Sequence, residues 1–106
     1  MARFIFSKEH DGSQPPARVV RGTLYGKIAS YDVKIVYEIS GKVFAGPREK
    51  IQVPANGSIG VDIQINRCKD DDANDLRSAD VLAQLKESSE SNYVDSDGKT
   101  INYRCG

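Results

Sequence analysis

The alternation between Asp32 and Arg67 limits this chain more than any other feature. Val33, Ile35, Tyr37 and Ile39 fall on one parity, with Asp32, Lys34, Val36 and Glu38 between them. Ile59, Val61, Ile63 and Ile65 repeat the pattern around Gly60, Asp62, Gln64 and Asn66. Successive strand side chains point to opposite faces, so apolar residues at period two mark a strand with one buried face and one wet face. A β-rich fold follows, and its apolar faces need a second layer to cover them.

The residues around these runs divide the chain further. Residues 3–7 read as a short first strand, and residues 8–16, with Gly12 and the pair Pro15-Pro16, as a loop. Residues 17–28 read as a strand with Val20, Leu24 and Ile28 on one parity, and Gly22 and Gly26 suggest a bulge or bend within it. Ser40-Gly41-Lys42 is a turn, and Gly46-Pro47 is expected to stop the strand that follows. Residues 50–53 form a further short strand before the reversal Pro54-Ala55-Asn56-Gly57-Ser58. After Cys68, the run from Lys69 to Asp75 offers N-cap residues and negative charge. Leu76, Ala79, Leu82, Ala83 and Leu85 then recur at three- and four-residue spacing, which predicts a helix of about twelve residues. Asn92-Tyr93-Val94 and Thr100-Ile101-Asn102-Tyr103 flank Asp97-Gly98 and predict a closing hairpin.

The expected fold is mainly β, a β-rich α+β chain. It is an antiparallel sheet or small immunoglobulin-like sandwich of six to seven strands with one late helix, forming one domain over residues 1–106. The reversal from Pro54 to Ser58 between two alternating strands is similar to the edge hairpin of immunoglobulin-like sandwiches. That resemblance covers some 20 residues of a common pattern; it implies a sandwich and names no family.

Composition excludes several function classes. Net charge is zero, 39% of residues are hydrophobic and 28% charged, which is the balance of a folded chain. No apolar run is long enough to span a membrane, and the start is too short for a signal peptide, so the chain as written is expected in the cytoplasm. The first 53 residues carry nine Lys/Arg against five Asp/Glu, and the rest six against ten. Arg18, Arg21, Lys27 and Lys34, with Tyr25 and Tyr31 among them, have the composition of a base-stacking surface, but overall neutrality argues against nucleic acid.

Chemistry-bearing motifs are sparse. The lone histidine, His10, sits between Glu9 and Asp11 with no identifiable nucleophile. No nucleophile elbow, phosphate loop or zinc-protease motif is present. Asp70, Asp72 and Asn74 alternate like the opening of a calcium loop, yet the sixth position is Asp75 rather than Gly and the twelfth is Val81 rather than Glu. No catalytic residue, cofactor or metal site is assigned. Cys68 and Cys105 stand at expected strand ends, and a disulfide between them would close a loop of about 38 residues, worth roughly 3–4 kcal/mol. An oxidised bridge would move the expected location outside the cell.

The reading of the whole is a non-catalytic domain that binds a protein partner, of inhibitor, immunity or effector type. Asp70, Asp71, Asp72 and Asp75 form its candidate binding surface, an acidic cluster that would steer a basic target. The alternative is a secreted module that binds glycans or cell surfaces, or a small toxin, stabilised by the Cys68–Cys105 disulfide.

Overall fold

The computed structural model describes residues 2–8, 19–39, 41–64 and 76–104. They form seven strands: β1 (Arg3–Phe6), β2 (Val19–Tyr25), β3 (Ser30–Ile39), β4 (Lys42–Gln52), β5 (Ser58–Gln64), β6 (Leu76–Glu87) and β7 (Val94–Arg104). Every pairing is antiparallel. One sheet has the order β1-β2-β5 and the other β4-β3-β6-β7.

The apolar parities of both sheets meet in one core. Phe4, Phe6, Val20, Leu24 and Ile63 enter it from the three-stranded sheet. Tyr31, Val33, Ile35, Tyr37, Ala79, Val81, Ala83, Leu85 and Ile101 enter it from the four-stranded one. The molecule is therefore a two-sheet β sandwich with polar outer parities.

The expected late helix is absent: its residues form β6. Ala79, Val81, Ala83 and Leu85 are buried at strict period two; on the other parity Ser78 and Asp80 are exposed and Leu82 and Gln84 half-buried. β6 is hydrogen-bonded along both edges, to β3 and to β7. Two ladders and a buried face outweigh the weak local preference of a Leu/Ala-rich segment for helix. No helix among the described residues is long and apolar enough to cross a membrane.

Two expected breaks are bulges instead. Gly46-Pro47 does not end a strand. Lys34 faces Arg48 and Val36 faces Ala45, so Gly46 and Pro47 together oppose Ile35. Proline lacks an N–H, and a bulge on an outer strand is a place that tolerates it. A Cβ on Gly46 would stand 2.3 Å from the Ile35 carbonyl oxygen, which explains glycine there. Asp97-Gly98 likewise lies inside β7 and is not a turn. Ala83 faces Asp97 and Gln84 faces Asp95, leaving Ser96 as the extra residue. The β6–β7 turn is made instead by residues 88–93.

Gly22 produces no bulge, since β2 keeps an unbroken register with both neighbours. It is a gap for the Phe4 ring, 2.4 Å from where a Cβ would lie. The reversal before β5 is a corner between the two sheets and not a hairpin. Gly57 N donates to Pro54 O at 3.0 Å, and Gly57 follows the turn at φ +83°.

Candidate functional site at the loop end

Three connections meet at one end of the sandwich: residues 26–29, 53–57 and 88–93. Backbone hydrogen bonds tie them together. Gly26 N donates to Gly57 O at 3.0 Å, Val53 N to Ala29 O at 3.0 Å, and Ser88 N to Ser30 O at 2.9 Å. Loops bound in this way hold their shape instead of sampling many.

The 88–93 turn has a further anchor. The Lys86 side chain is only 14% exposed and its ammonium lies 3.2 Å from Asp32 Oδ2. It also donates to Glu90 O at 2.9 Å and Ser88 O at 3.3 Å. Ser88 Oγ donates to Asp32 Oδ1 at 2.9 Å. The Ser88 hydroxyl above all, and Lys86 with it, hold the Asp32 carboxyl below its ordinary value, with partial burial acting the other way. The Tyr93 ring faces two ammoniums, Lys34 Nζ at 4.3 Å and Lys86 Nζ at 5.6 Å from its centroid. Its hydroxyl oxygen is shut off from solvent and has no hydrogen-bond partner among the described residues.

Beside this turn lies a cleft of about 350 Å³. Tyr31 and Leu85 form its apolar base, while Lys27, Glu87, Glu90 and Val94 stand around it. Lys27 and Glu87 are ion-paired at 3.2 Å. Val94 is 56% exposed and Ile28, on the neighbouring loop, 65%. An apolar floor, an ion pair and two exposed apolar side chains on a braced rim suit the burial of a partner's side chain.

The acidic candidates Asp70, Asp71, Asp72 and Asp75 lie outside the described residues, as do Cys68, Cys105 and His10. The chain leaves β5 at Gln64 and enters β6 at Leu76, both at the end of the sandwich away from the cleft. The parity of β2 placed Ile28 in the core, but β2 ends at Tyr25 and Ile28 sits in a bend. The signal that could have exposed it was Gly26, which breaks the strand two residues earlier. The Lys34, Lys86 and Tyr93 grouping had no local signal, because Lys34 on β3 is about fifty residues away from the end of β6 and the turn that supply the other two.

No protein-family model matches the chain, no curated protein matches it, and no solved structure matches it.

Proposed function

We propose that this chain is a non-catalytic protein-binding domain, of inhibitor, immunity or effector type, which recognises its partner with the loop end of the sandwich. The observation that carries the reading is the exposure of Ile28 and Val94 beside a cleft whose walls are braced by hydrogen bonds. Apolar anchors displayed on a rigid frame bind with little ordering cost. The strand orders also support it. In our reading they resemble an immunoglobulin-like sandwich whose fourth strand pairs with the third instead of the fifth, an architecture whose loop ends commonly carry recognition. The acidic residues Asp70, Asp71, Asp72 and Asp75 remain a second candidate surface that would act on association rate.

The test is capture of the partner from extract of the source cell by the immobilised chain, followed by affinity measurement on the captured protein. Ile28→Asp combined with Val94→Asp should weaken affinity by at least about thirtyfold, the loss of one strong anchor. Both residues are exposed, so the unfolding midpoint should stay within the ordinary surface range of about 0.5 kcal/mol. Undiminished affinity in the double variant would remove the loop end from the reading. Reversal of Asp70, Asp71 and Asp72 to lysine should slow association in a salt-dependent way if that surface contributes.

A further inference from the structure

The chemistry of the loop-end cleft narrows what can enter it. Its base is apolar, formed by the almost wholly buried Tyr31 and Leu85, and Val94 carries that surface to the rim. Its charges do not balance. Glu87 and Glu90 stand at the mouth, with Lys27 as the one cation among the described lining residues. Glu90 N donates to Glu87 O at 2.9 Å, a tight turn that keeps these two acidic residues together. Lys27 Nζ lies 3.2 Å from Glu87 Oε2, while the Glu90 carboxylate has no hydrogen-bond or ion-pair partner among the described residues.

The nearest other ammonium is spent elsewhere. Lys86 lies on the opposite parity of β6 from Leu85 and Glu87, where it pairs with Asp32 and takes only the backbone oxygens of Ser88 and Glu90. Lys27 is a loose cover for Glu87. Its side chain is 71% exposed against 27% for the glutamate, and an ion pair with one arm in water adds little stability. The cleft therefore offers an apolar trough with one uncompensated negative charge at its mouth and a second that is easily released.

No internal segment outside the described residues is long enough to cover this mouth, which lies where β1 begins and β6 ends. Residues 65–75 are fewer than those of β6 itself, so a chain leaving Gln64 cannot reach the top of β6 and still descend to Leu76. Residues 9–18 are fewer than those of β1 and β2, along which they would have to rise and return. Met1 adjoins the lining residue Ala2, lies outside the described residues and is kept in every protein tested.

We infer that the cleft receives a long basic side chain, lysine or arginine, from the protein partner, an inference that rests on the loop end being the binding end. The methylene stem lies on Tyr31, Leu85 and Val94. The cation reaches Glu90 and displaces Lys27 from Glu87. Long basic side chains lay their stems along apolar surface and keep the charge at its edge, which is the geometry of this trough. An apolar side chain of the same length would take water from Glu90 and return nothing for it. An acidic one would meet like charge.

Blocked tripeptides, acetyl-Gly-X-Gly-amide with X lysine, arginine, norleucine or glutamate, test this. Each is titrated into the full chain up to about 20 mM, and the Leu85 and Val94 methyls are followed by NMR. The lysine and arginine peptides should shift these methyls saturably, with Kd of about 1–10 mM, and their ratio states which head group the cleft prefers. Norleucine has the stem without the charge and should bind at least about threefold more weakly; glutamate should not bind. Glu90→Gln should weaken the basic peptides by about two- to fivefold. Lys27→Ala removes the internal competitor and should tighten them by a similar factor. Norleucine or glutamate peptides that bind as well as the basic ones, or basic peptides that leave the methyls unmoved, overturn the inference. So do Glu90→Gln and Lys27→Ala variants that shift affinity in the same direction or not at all. Any of these results leaves the loop end standing if Ile28→Asp with Val94→Asp still weakens the captured partner. Affinity undiminished by that pair removes the loop end and the basic side chain together.

Discussion

The two long sides of the sandwich solve the same problem differently. On one side β1 and β7 belong to different sheets, yet Ser96 and Asp97 bond the backbone of β1 and Lys99 Nζ donates to Ser7 O at 2.5 Å. On the other side β4 and β5 are joined by the 53–57 corner, where Gly57 N donates to Pro54 O at 3.0 Å. The comparison shows how a β-bulge works as a fastener. Ser96 is the residue that β7 has in excess, and extrusion from the ladder is what lets its hydroxyl reach both polar groups of Phe4. The extra residue of β4 serves the opposite purpose, because Gly46-Pro47 interrupts an edge instead of filling one.

Phe4→Ala should break the closed side most severely. Its side chain is wholly buried, and loss of about 3–5 kcal/mol is expected in denaturant unfolding. Next, the same substitution at two glycines should have opposite signs. Gly22→Ala forces a Cβ to 2.4 Å from the Phe4 ring and 2.6 Å from Ile5 O, and should cost about 1–3 kcal/mol. Gly60→Ala, on the open side, meets no neighbour and should gain about 0.4–1 kcal/mol by restricting the unfolded chain. Equal effects at the two positions would mean that the two sides are not distinct. Ser96→Ala should cost about 1–3 kcal/mol, since it leaves the Phe4 N–H and C=O without their partner.

The smallest effect is read against pH and concerns the loop end that both sides share. Asp32 has a folded-state pKa below its unfolded value of about 3.9, so its contribution is present above that pH and is lost as pH falls through the folded value. Asp32→Asn should therefore be less stable than wild type at neutral pH. The gap between their unfolding midpoints should close in strong acid, and a gap that persists there would assign the loss to something other than this carboxylate.

The period-two runs of β3 and β5 were legible because each residue's parity is a local property. Val33, Ile35, Tyr37 and Ile63 are buried as their spacing requires. β6 was misread because Leu76, Ala79, Leu82, Ala83 and Leu85 satisfy a helical spacing at the same time as Ala79, Val81, Ala83 and Leu85 satisfy an extended one. The choice between them is made by β3 and β7, which lie on either side of β6 in space and not in sequence. Gly46-Pro47 and Asp97-Gly98 carry the composition of turns, and only the partner strand's register reveals them as bulges. The loop-end cleft was invisible for the same reason: Tyr31, Leu85, Lys27 and Val94 come from separate strands and connections.

The bond between Phe4 and Ser96 joins residues 92 positions apart. A ribosome adding about 5–20 residues per second delivers Ser96 some 5–18 s after Phe4. During that interval β1 can pair with β2, and β2 with β5, but the outer edge of β1 has no fastener. The three-stranded sheet must wait for the last strand, and contacts of such sequence separation form slowly. The seam is then the final step of maturation, and a chain caught before it leaves open the β1 edge that Ser96 and Asp97 close in the finished molecule.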